Sequence, residues 1–426
     1  MGRPVILSLA LIGLISPVLA DTTFVGGEIE EAVWDLEGSP YVVIDDVIIV
    51  SGGSLIIEPG VTVLFSPYIG MFGDSASSIS AIGTAEDSIY FLPLEDDSWG
   101  TLIFFLSELE FDYSYFYDSF GRFQESGTIG GSVISLNVSH SSFIRCETAI
   151  NAYYGPINIE DCFFDNITFT VLAGGDSITA RRCVFGDFST MAEYLNLTNS
   201  IIMNVGGANL GNGSIVEGNI FIDCGNGLGG NSLTVTHNLI FGDYDVFGDD
   251  DINDFGVLSR TNVNGDSTDA YGNLFMDPLL AGGDTWPDRY FLTAESPCID
   301  AGDPDSERDP DGTIADIGPF YFHQYSAAGS DFILHPSYLT LSVLPNPFNQ
   351  SSVISYQLSV GGMVNLSLYD INGRLVRTLV DGWQAAGEHR ATISGQPGMS
   401  VLPAGIYIIR LEAAGTAFTR KAVAMK

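Results

Sequence analysis

The sequence predicts an all-β protein, a right-handed parallel β-helix followed by a C-terminal immunoglobulin-like β-sandwich. Three observations lead there. The chain has few helix-forming stretches and is rich in Gly, Ser, Asn, Val, Ile and Phe, with 49 glycines among its 426 residues. Its middle third repeats with a period near 20 residues. At Leu341 the texture changes to short apolar runs separated by turn residues. The chain exceeds what one hydrophobic core usually supports, so two modules are expected.

The chain opens with Arg3, an apolar run from Val5 to Ile15, Pro17 and the small-residue site Val18-Leu19-Ala20. That order of basic, apolar and cleavage regions reads as a secretory signal peptide over residues 1–20, with the mature protein starting near Asp21. No other apolar run approaches the roughly 18 to 20 uninterrupted residues of a membrane span, so no transmembrane segment is expected in the mature protein.

Charge separates the two modules. The formal net charge is −38, and of the 53 acids only Asp370, Asp381, Glu388 and Glu412 lie after Thr340, which leaves 49 before it. Residues 21–340 carry seven arginines and no lysine, whereas residues 341–426 carry seven bases. Phosphate neutralisation needs clustered bases, so a nucleic-acid partner is excluded. The acidity of the body suits solubility after export, and equally a surface that binds cations or charged glycan.

The repeat appears when the middle third is aligned on a small polar residue: Ser141, Cys162, Cys183, Ser200, Asn219, Asn238 and, after an insertion, Asn273. The steps are 21, 21, 17, 19, 19 and 35 residues. Two positions on, the column reads Phe143, Phe164, Phe185, Ile202, Phe221, Ile240 and Phe275. Three positions before, it reads Val138, Ile159, Ala180, Leu197, Val216, Val235 and Ala270. A unit this small cannot bury its own apolar face and must stack on its neighbours. In a parallel β-helix equivalent residues lie about 4.8 Å apart, so each column becomes a continuous stack. Asparagines at inward turns can then bond the coils above and below.

Five cysteines, Cys146, Cys162, Cys183, Cys224 and Cys298, fit neither a zinc site nor a compact disulfide framework. Strand spacing falls within the roughly 4.4–6.8 Å range of bridged Cα atoms, so Cys162 and Cys183 are readable as stacked thiols or as a disulfide.

The first coils carry SGGSLIIEPGVTVLF at 51–65, echoed by SISAIGTAEDSIYF at 78–91 and then by Trp99-Gly100-Thr101-Leu102-Ile103-Phe104. This pattern resembles the opening coils of bacterial β-helix proteins in the pectin-lyase-like superfamily, and the resemblance covers most of residues 24–325. At the far end, residues 277–320 resemble the closing segment of surface-anchored β-helix proteins through Tyr290-Phe291-Leu292, Ser296-Pro297-Cys298-Ile299-Asp300-Ala301-Gly302 and Asp316-Ile317-Gly318. An open sheet edge invites association, and a cap near 277–320 would cover it. Residues 21–325 therefore form the expected β-helix, with a linker over 326–340.

From Leu341 the turn chemistry is explicit. Asn372-Gly373 between NLSLYD and RLVRTLV is a type I′ hairpin signal, because both turn residues must accept positive φ. Pro403-Ala404-Gly405 introduces IYIIRLE, and Gly415 separates it from FTRKAVAMK. This spacing fits an immunoglobulin-like sandwich over 341–426. The module closely resembles the type A sorting domain of the type IX secretion system. Pro345-Asn346-Pro347-Phe348-Asn349, Tyr369-Asp370 with Asn372-Gly373-Arg374, Gly387-Glu388-His389, Pro403-Ala404-Gly405-Ile406-Tyr407 and Arg420-Lys421 carry the resemblance. It implies the type IX machinery as partner and a position at the outer-membrane surface or outside a Gram-negative bacterium.

Lyases in the pectin-lyase-like superfamily pair calcium-binding carboxylates with a Lys or Arg base, and hydrolases cluster aspartates beside a His; fold alone does not license either. The body has no lysine and no Gly-His-Gly or Asn-Thr-Asp element. Its nearest constellation is the column His140, Asp161 and Arg182 just before the polar residues, with Glu160 and Arg181 beside it, and cross-strand pairs Asp161–Arg182 and Glu160–Arg181 explain that column structurally. No catalytic residue is assigned. Two acidic loops, 242–256 and 303–318, are candidate calcium segments, and Asp309, Asp311 and Asp316 are the named candidate ligands; they have the crowding but not the spacing of an EF-hand, and a solvated loop is the alternative. The functional expectation is a surface-displayed, non-catalytic module that binds or adheres to polysaccharide or another surface. A polysaccharide lyase or glycoside hydrolase, and a structural surface-layer component, are the alternatives.

Overall fold

The computed structural model describes residues 22–424 except 86, 96, 121–126, 170–171, 174–176, 189–194, 206–207, 210–212, 226–227, 230–231, 243–251, 253, 283–286, 323, 325–340, 345–351, 359–361, 371–373, 385–386, 394–401, 404 and 414–415. The expected signal peptide, the expected 326–340 linker and most of the 242–256 segment thus lie outside the described residues. The chain divides into two compact units with the boundary between Gln324 and Tyr325.

The first unit is a parallel β-solenoid running from Thr23–Trp34 to Leu239–Phe241. Inward and outward residues alternate because successive side chains of a strand point to opposite faces. The expected aromatic column is inward: Phe143, Phe164, Phe185, Ile202, Phe221 and Ile240 pair strand to strand in register, and all are buried. It extends upward through Phe91 and Phe116, with ring centroids 4.7, 4.6, 5.0 and 4.9 Å apart from Phe91 down to Phe185. Those separations equal the strand spacing, so the backbone pairing places the rings in contact. The column Val138, Ile159, Ala180, Leu197, Val216 and Val235 stacks in the same way. In the opening coils Leu55 lies on Ile79 and Val63 on Phe91, as the echoed sequences require, and Trp99 stacks on Phe65 at 4.4 Å.

The small polar column forms a one-directional ladder. Where the next coil carries a hydroxyl or amide, the backbone N–H donates to it: Ser114 to Ser141 Oγ, Cys183 to Ser200 Oγ, Ser200 to Asn219 Oδ1, Asn219 to Asn238 Oδ1 and Asn238 to Asn273 Oδ1. The amides of Asn219, Asn238 and Asn273 donate in the opposite direction, to the carbonyls of Leu197, Val216 and Val235. The ladder ends on Asp269, fully buried, whose carboxylate accepts the N–H groups of Tyr271 and Asn273 and the Asn273 amide. Buried polar groups cost little only when every one is paired, and this column pairs them in series.

All five cysteines are free and buried, which decides between the two readings of Cys162 and Cys183 in favour of stacked thiols. Burial pushes the thiols of Cys146 and Cys162 up, and those of Cys224 and Cys298 up to about 12. These four raised, buried thiols are fillers, not nucleophiles.

The segment 277–320 lies along the flank of the solenoid. Tyr290, Leu292, Cys298, Ala301 and Ile317 pack on an outward column of Phe163, Val184, Ile201, Ile220, Leu239 and Leu274. Gly318 N–H donates to Gly218 O at 2.7 Å. The only helical element among the described residues is the short 3-10 turn Asp288–Tyr290 in this segment.

The second unit has two antiparallel sheets, one of Leu341–Leu344, Val353–Leu358 and Gly387–Thr392, the other ordered Leu375–Gln384, Gly362–Asp370, Gly405–Ala413, Thr416–Ala424. Ile354 and Tyr356 from the first share a core with Leu366, Leu368, Ile409 and Leu411 from the second. Tyr407 OH donates to Pro403 O at 2.9 Å, which holds the entry to its own strand.

Phe164→Ala should cost about 3–5 kcal/mol, because it opens a cavity between two stacked rings in a core that cannot collapse sideways. Chemical denaturation of the mature chain checks it; a loss below about 1 kcal/mol would mean the stack relaxes around the gap.

Candidate functional site

Each ladder residue is preceded by a residue in the left-handed region: Tyr113, His140, Asp161, Arg182, Asn199, Gly218, His237 and Gly272, with φ between 44° and 82°. This bend turns the next side chain inward and throws its own outward, so a charged corner column follows from the backbone. His140 Nδ1 lies 2.9 Å from Asp112 Oδ1, its Nε2 lies 3.6 Å from Asp161 Oδ2, and its ring stacks on Tyr113 at 4.5 Å. Arg182 grips Asp161 through Nε at 2.8 Å and Nη2 at 2.6 Å. It also takes Glu160 at 2.8 Å, which corrects the expected Glu160–Arg181 pair: the left-handed turn at Arg182 brings its longer reach over both acids. Hydrogen bonding to Asp161 raises the pKa of Arg182 further. Arg182 and His140 bridge the three carboxylates of Asp112, Asp161 and Glu160 on a partly exposed corner, where such pairs contribute about 0–1 kcal/mol each. The arrangement is a charge network along consecutive coils.

Beside this corner, the outward column Ser80, Glu110, Asn137, Asn158, Thr179 and Asn196 runs in register across successive coils. Asn158 Nδ2 donates to Asn137 Oδ1 at 2.9 Å. Six successive coils thus carry a polar side chain at strand spacing on this face.

The candidate calcium ligands come together as a self-bonded knot. Asp316 accepts the N–H groups of Asp300 on Oδ1 at 2.7 Å and of Phe322 on Oδ2 at 2.5 Å. Asp309 Oδ2 accepts Asp316 N–H at 2.9 Å, and Asp311 accepts from Thr313 and from Gln324 N–H. Asp300 joins them, accepting Gln324 Nε2 at 2.7 Å. Among the described residues, no three His, Cys, Asp or Glu side chains gather in a geometry that holds a metal ion. A cation here would have to exchange with these N–H donors. Burial, reinforced by the neighbouring carboxylates, pushes Asp309 up to about 6 and Asp316 up to about 8. The role of Asp300 was missed from sequence; its spacing from Asp316 carries no motif.

In the C-terminal module, Pro345, Asn346, Pro347, Asn372 and Gly373 lie outside the described residues. The strands flanking Asn372-Gly373 do pair antiparallel, and Asp370 N–H donates to Arg374 O at 2.9 Å across the turn. Gly405 starts a strand that pairs along its length with Thr416–Ala424, where Arg420 and Lys421 face solvent opposite Ile409 and Ile408.

Residues 342–425 match the model of the secretion system C-terminal sorting domain. The C-terminal module is accordingly a type IX sorting domain; its implied partner is the type IX machinery, and the protein is secreted or displayed at the cell surface. No curated protein matches the chain.

The acid knot generates a pH dependence of defined sign. Both carboxyls are raised from 3.8, so the folded state holds protons that the unfolded chain releases. Their stabilisation is complete below about pH 4 and is lost as pH rises through about 6 and then about 8. The melting temperature should fall between pH 5 and pH 9, and Asp309→Asn, which keeps an acceptor for Asp316 N–H and removes the adjacent charge, should flatten that fall. Parallel curves for the two proteins would show that the knot does not titrate in this range.

Proposed function

We propose that the solenoid is a non-catalytic binding or adhesion module for polysaccharide or another surface, held at the outer-membrane surface by way of its sorting domain. The observation that carries this reading is the outward column Asn137, Asn158, Thr179 and Asn196 repeating at strand spacing beside a network of paired charges. A repetitive face suits a repetitive ligand, whereas a charge network closed on itself offers no spare acid, base or nucleophile. Calcium at Asp309, Asp311 and Asp316 belongs to the proposal as a structural ion bound in exchange for the N–H donors of the knot.

A glycan array followed by assays for new reducing ends and unsaturated products tests the reading. Binding without products is expected. Turnover would replace it with a polysaccharide lyase or hydrolase, and silence in both assays with a structural surface-layer component. Running the array and a thermal melt with calcium and with chelator decides the ion at the same time.

The export half is tested by truncation. Removing residues from Gly415 onward deletes the strand that pairs along the whole of Gly405–Ala413 and buries Ala422 and Ala424. The exposed edge and opened core should disable the address while the solenoid stays folded. The truncated protein should accumulate in the periplasm, and protease treatment of intact cells should leave it untouched. Digestion from outside would refute the dependence on this strand.

A further inference from the structure

At the corner where the strands beginning at Leu102, Ile129 and Ile150 bend, successive coils carry Phe105 and Leu106, Ile134, and Tyr153 and Tyr154. All five are exposed: Phe105 by 51%, Tyr153 by 43% and Tyr154 by 70%. Phe105 and Tyr153 both stand in register with Ser132, one above it and one below. The two aromatic side chains therefore flank a slot one coil wide with a hydroxyl at its floor. Solvated apolar side chains in a contiguous group on an otherwise acidic surface mark an interaction site.

The backbone adds an independent observation. On preceding coils this corner is made by Gly52 at φ 75° and Ala76 at φ 61°, small residues that suit a left-handed turn. The same turn then carries Leu106 at φ 47° and Tyr154 at φ 77°. A left-handed residue throws its own side chain outward, as at the charged corner, so Leu106 and Tyr154 are presented to solvent. Gly155 next to Tyr154 is required by the packing, since a Cβ there would lie 2.4 Å from Ile134 O. Along this corner the left-handed position thus changes from Gly52 and Ala76 to the exposed Leu106 and Tyr154.

We propose that this ridge is a stacking platform for an uncharged, pyranose-based polysaccharide, which rests on the binding reading above and adds the site and the ligand class. The apolar, C–H-lined face of a pyranose packs against an aromatic ring, while the Tyr hydroxyls and Ser132 supply partners for sugar hydroxyls. A linear polymer offers the same face at every unit, and consecutive coils offer the same corner at every strand spacing. Charge sets the class. Arg145 and Arg182 are paired at other corners of their coils, with Asp118 and with Asp161 and Glu160, and Glu108 emerges three residues after Phe105. A polyanion would meet repulsion here, in a protein of net charge −38.

The test uses the full mature chain against immobilised neutral glucan, xylan and mannan, with polygalacturonate and polylysine as charged probes. Two variants separate binding from folding: Tyr154→Gly, which removes a ring and suits φ 77°, and Tyr153→Ser, which matches Ser132 in the coil above. Binding to at least one neutral glycan should drop tenfold or more in each, with the melting temperature unchanged or raised for Tyr154→Gly. Neutral-glycan binding that survives both variants overturns the ridge and leaves the binding reading intact. Preference for polygalacturonate overturns the ligand class. Retention of polylysine alone, lost in the variants, would give the ridge to a basic protein partner, and failure to bind any glycan would remove the binding reading with it.

Discussion

From Ser114 to Asn273 each coil of the solenoid turns on the same local device, a left-handed residue followed by a small inward Ser, Cys or Asn. Without the left-handed step the strand would run on and the next side chain would face solvent. Without a side-chain acceptor on the next coil, the buried N–H at the bend would be unpaired at a cost of about 1–3 kcal/mol. Coupling the two makes each coil the template for its neighbour, and the aromatic column, the charged corner and the outward face all inherit their spacing from it. Asp269 closes the series because a carboxylate accepts on both oxygens and so can end a ladder that asparagine can only pass on.

The interior built on this device is chemically quiet. Its cysteines occupy ladder and core positions as free, buried thiols, and its asparagines are held by bonds on both sides. Reactivity, where there is any, lies outside: in the closed network of Asp112, His140, Asp161, Arg182 and Glu160, and in the acid knot of the flank segment. That segment covers an outward apolar column that would otherwise be exposed over many coils. Its carboxylates serve as acceptors for its own backbone, which is how an irregular stretch without strands satisfies its N–H groups.

The two units obey different chemistry because they have different tasks. The body is acidic and repetitive, suited to staying soluble after export and to meeting an extended ligand. The sorting domain holds more bases than acids and has a compact core fed by both its sheets. Its edge strand, with Arg420 and Lys421 exposed, pairs along its length with the strand that begins at Gly405.

The sequence by itself determined the solenoid register, since a period near 20 with fixed apolar and polar offsets admits one stacking, and it determined the sorting module, whose turn residues stand in order. The inward placement of Phe164 and Asn238 and the stacking of Cys162 on Cys183 were legible for that reason. The charged corner was legible as a column but not in its pairing, because which acid Arg182 takes depends on the direction of a side chain leaving a left-handed residue. Only the tertiary structure laid residues 277–320 along the flank and brought Asp300 to Asp309, Asp311 and Asp316. Only the tertiary structure, likewise, gathered Phe105, Ile134 and Tyr153 into one ridge. Those relations join residues that share no period, and where no repeat links them, proximity is set by how the chain packs across coils.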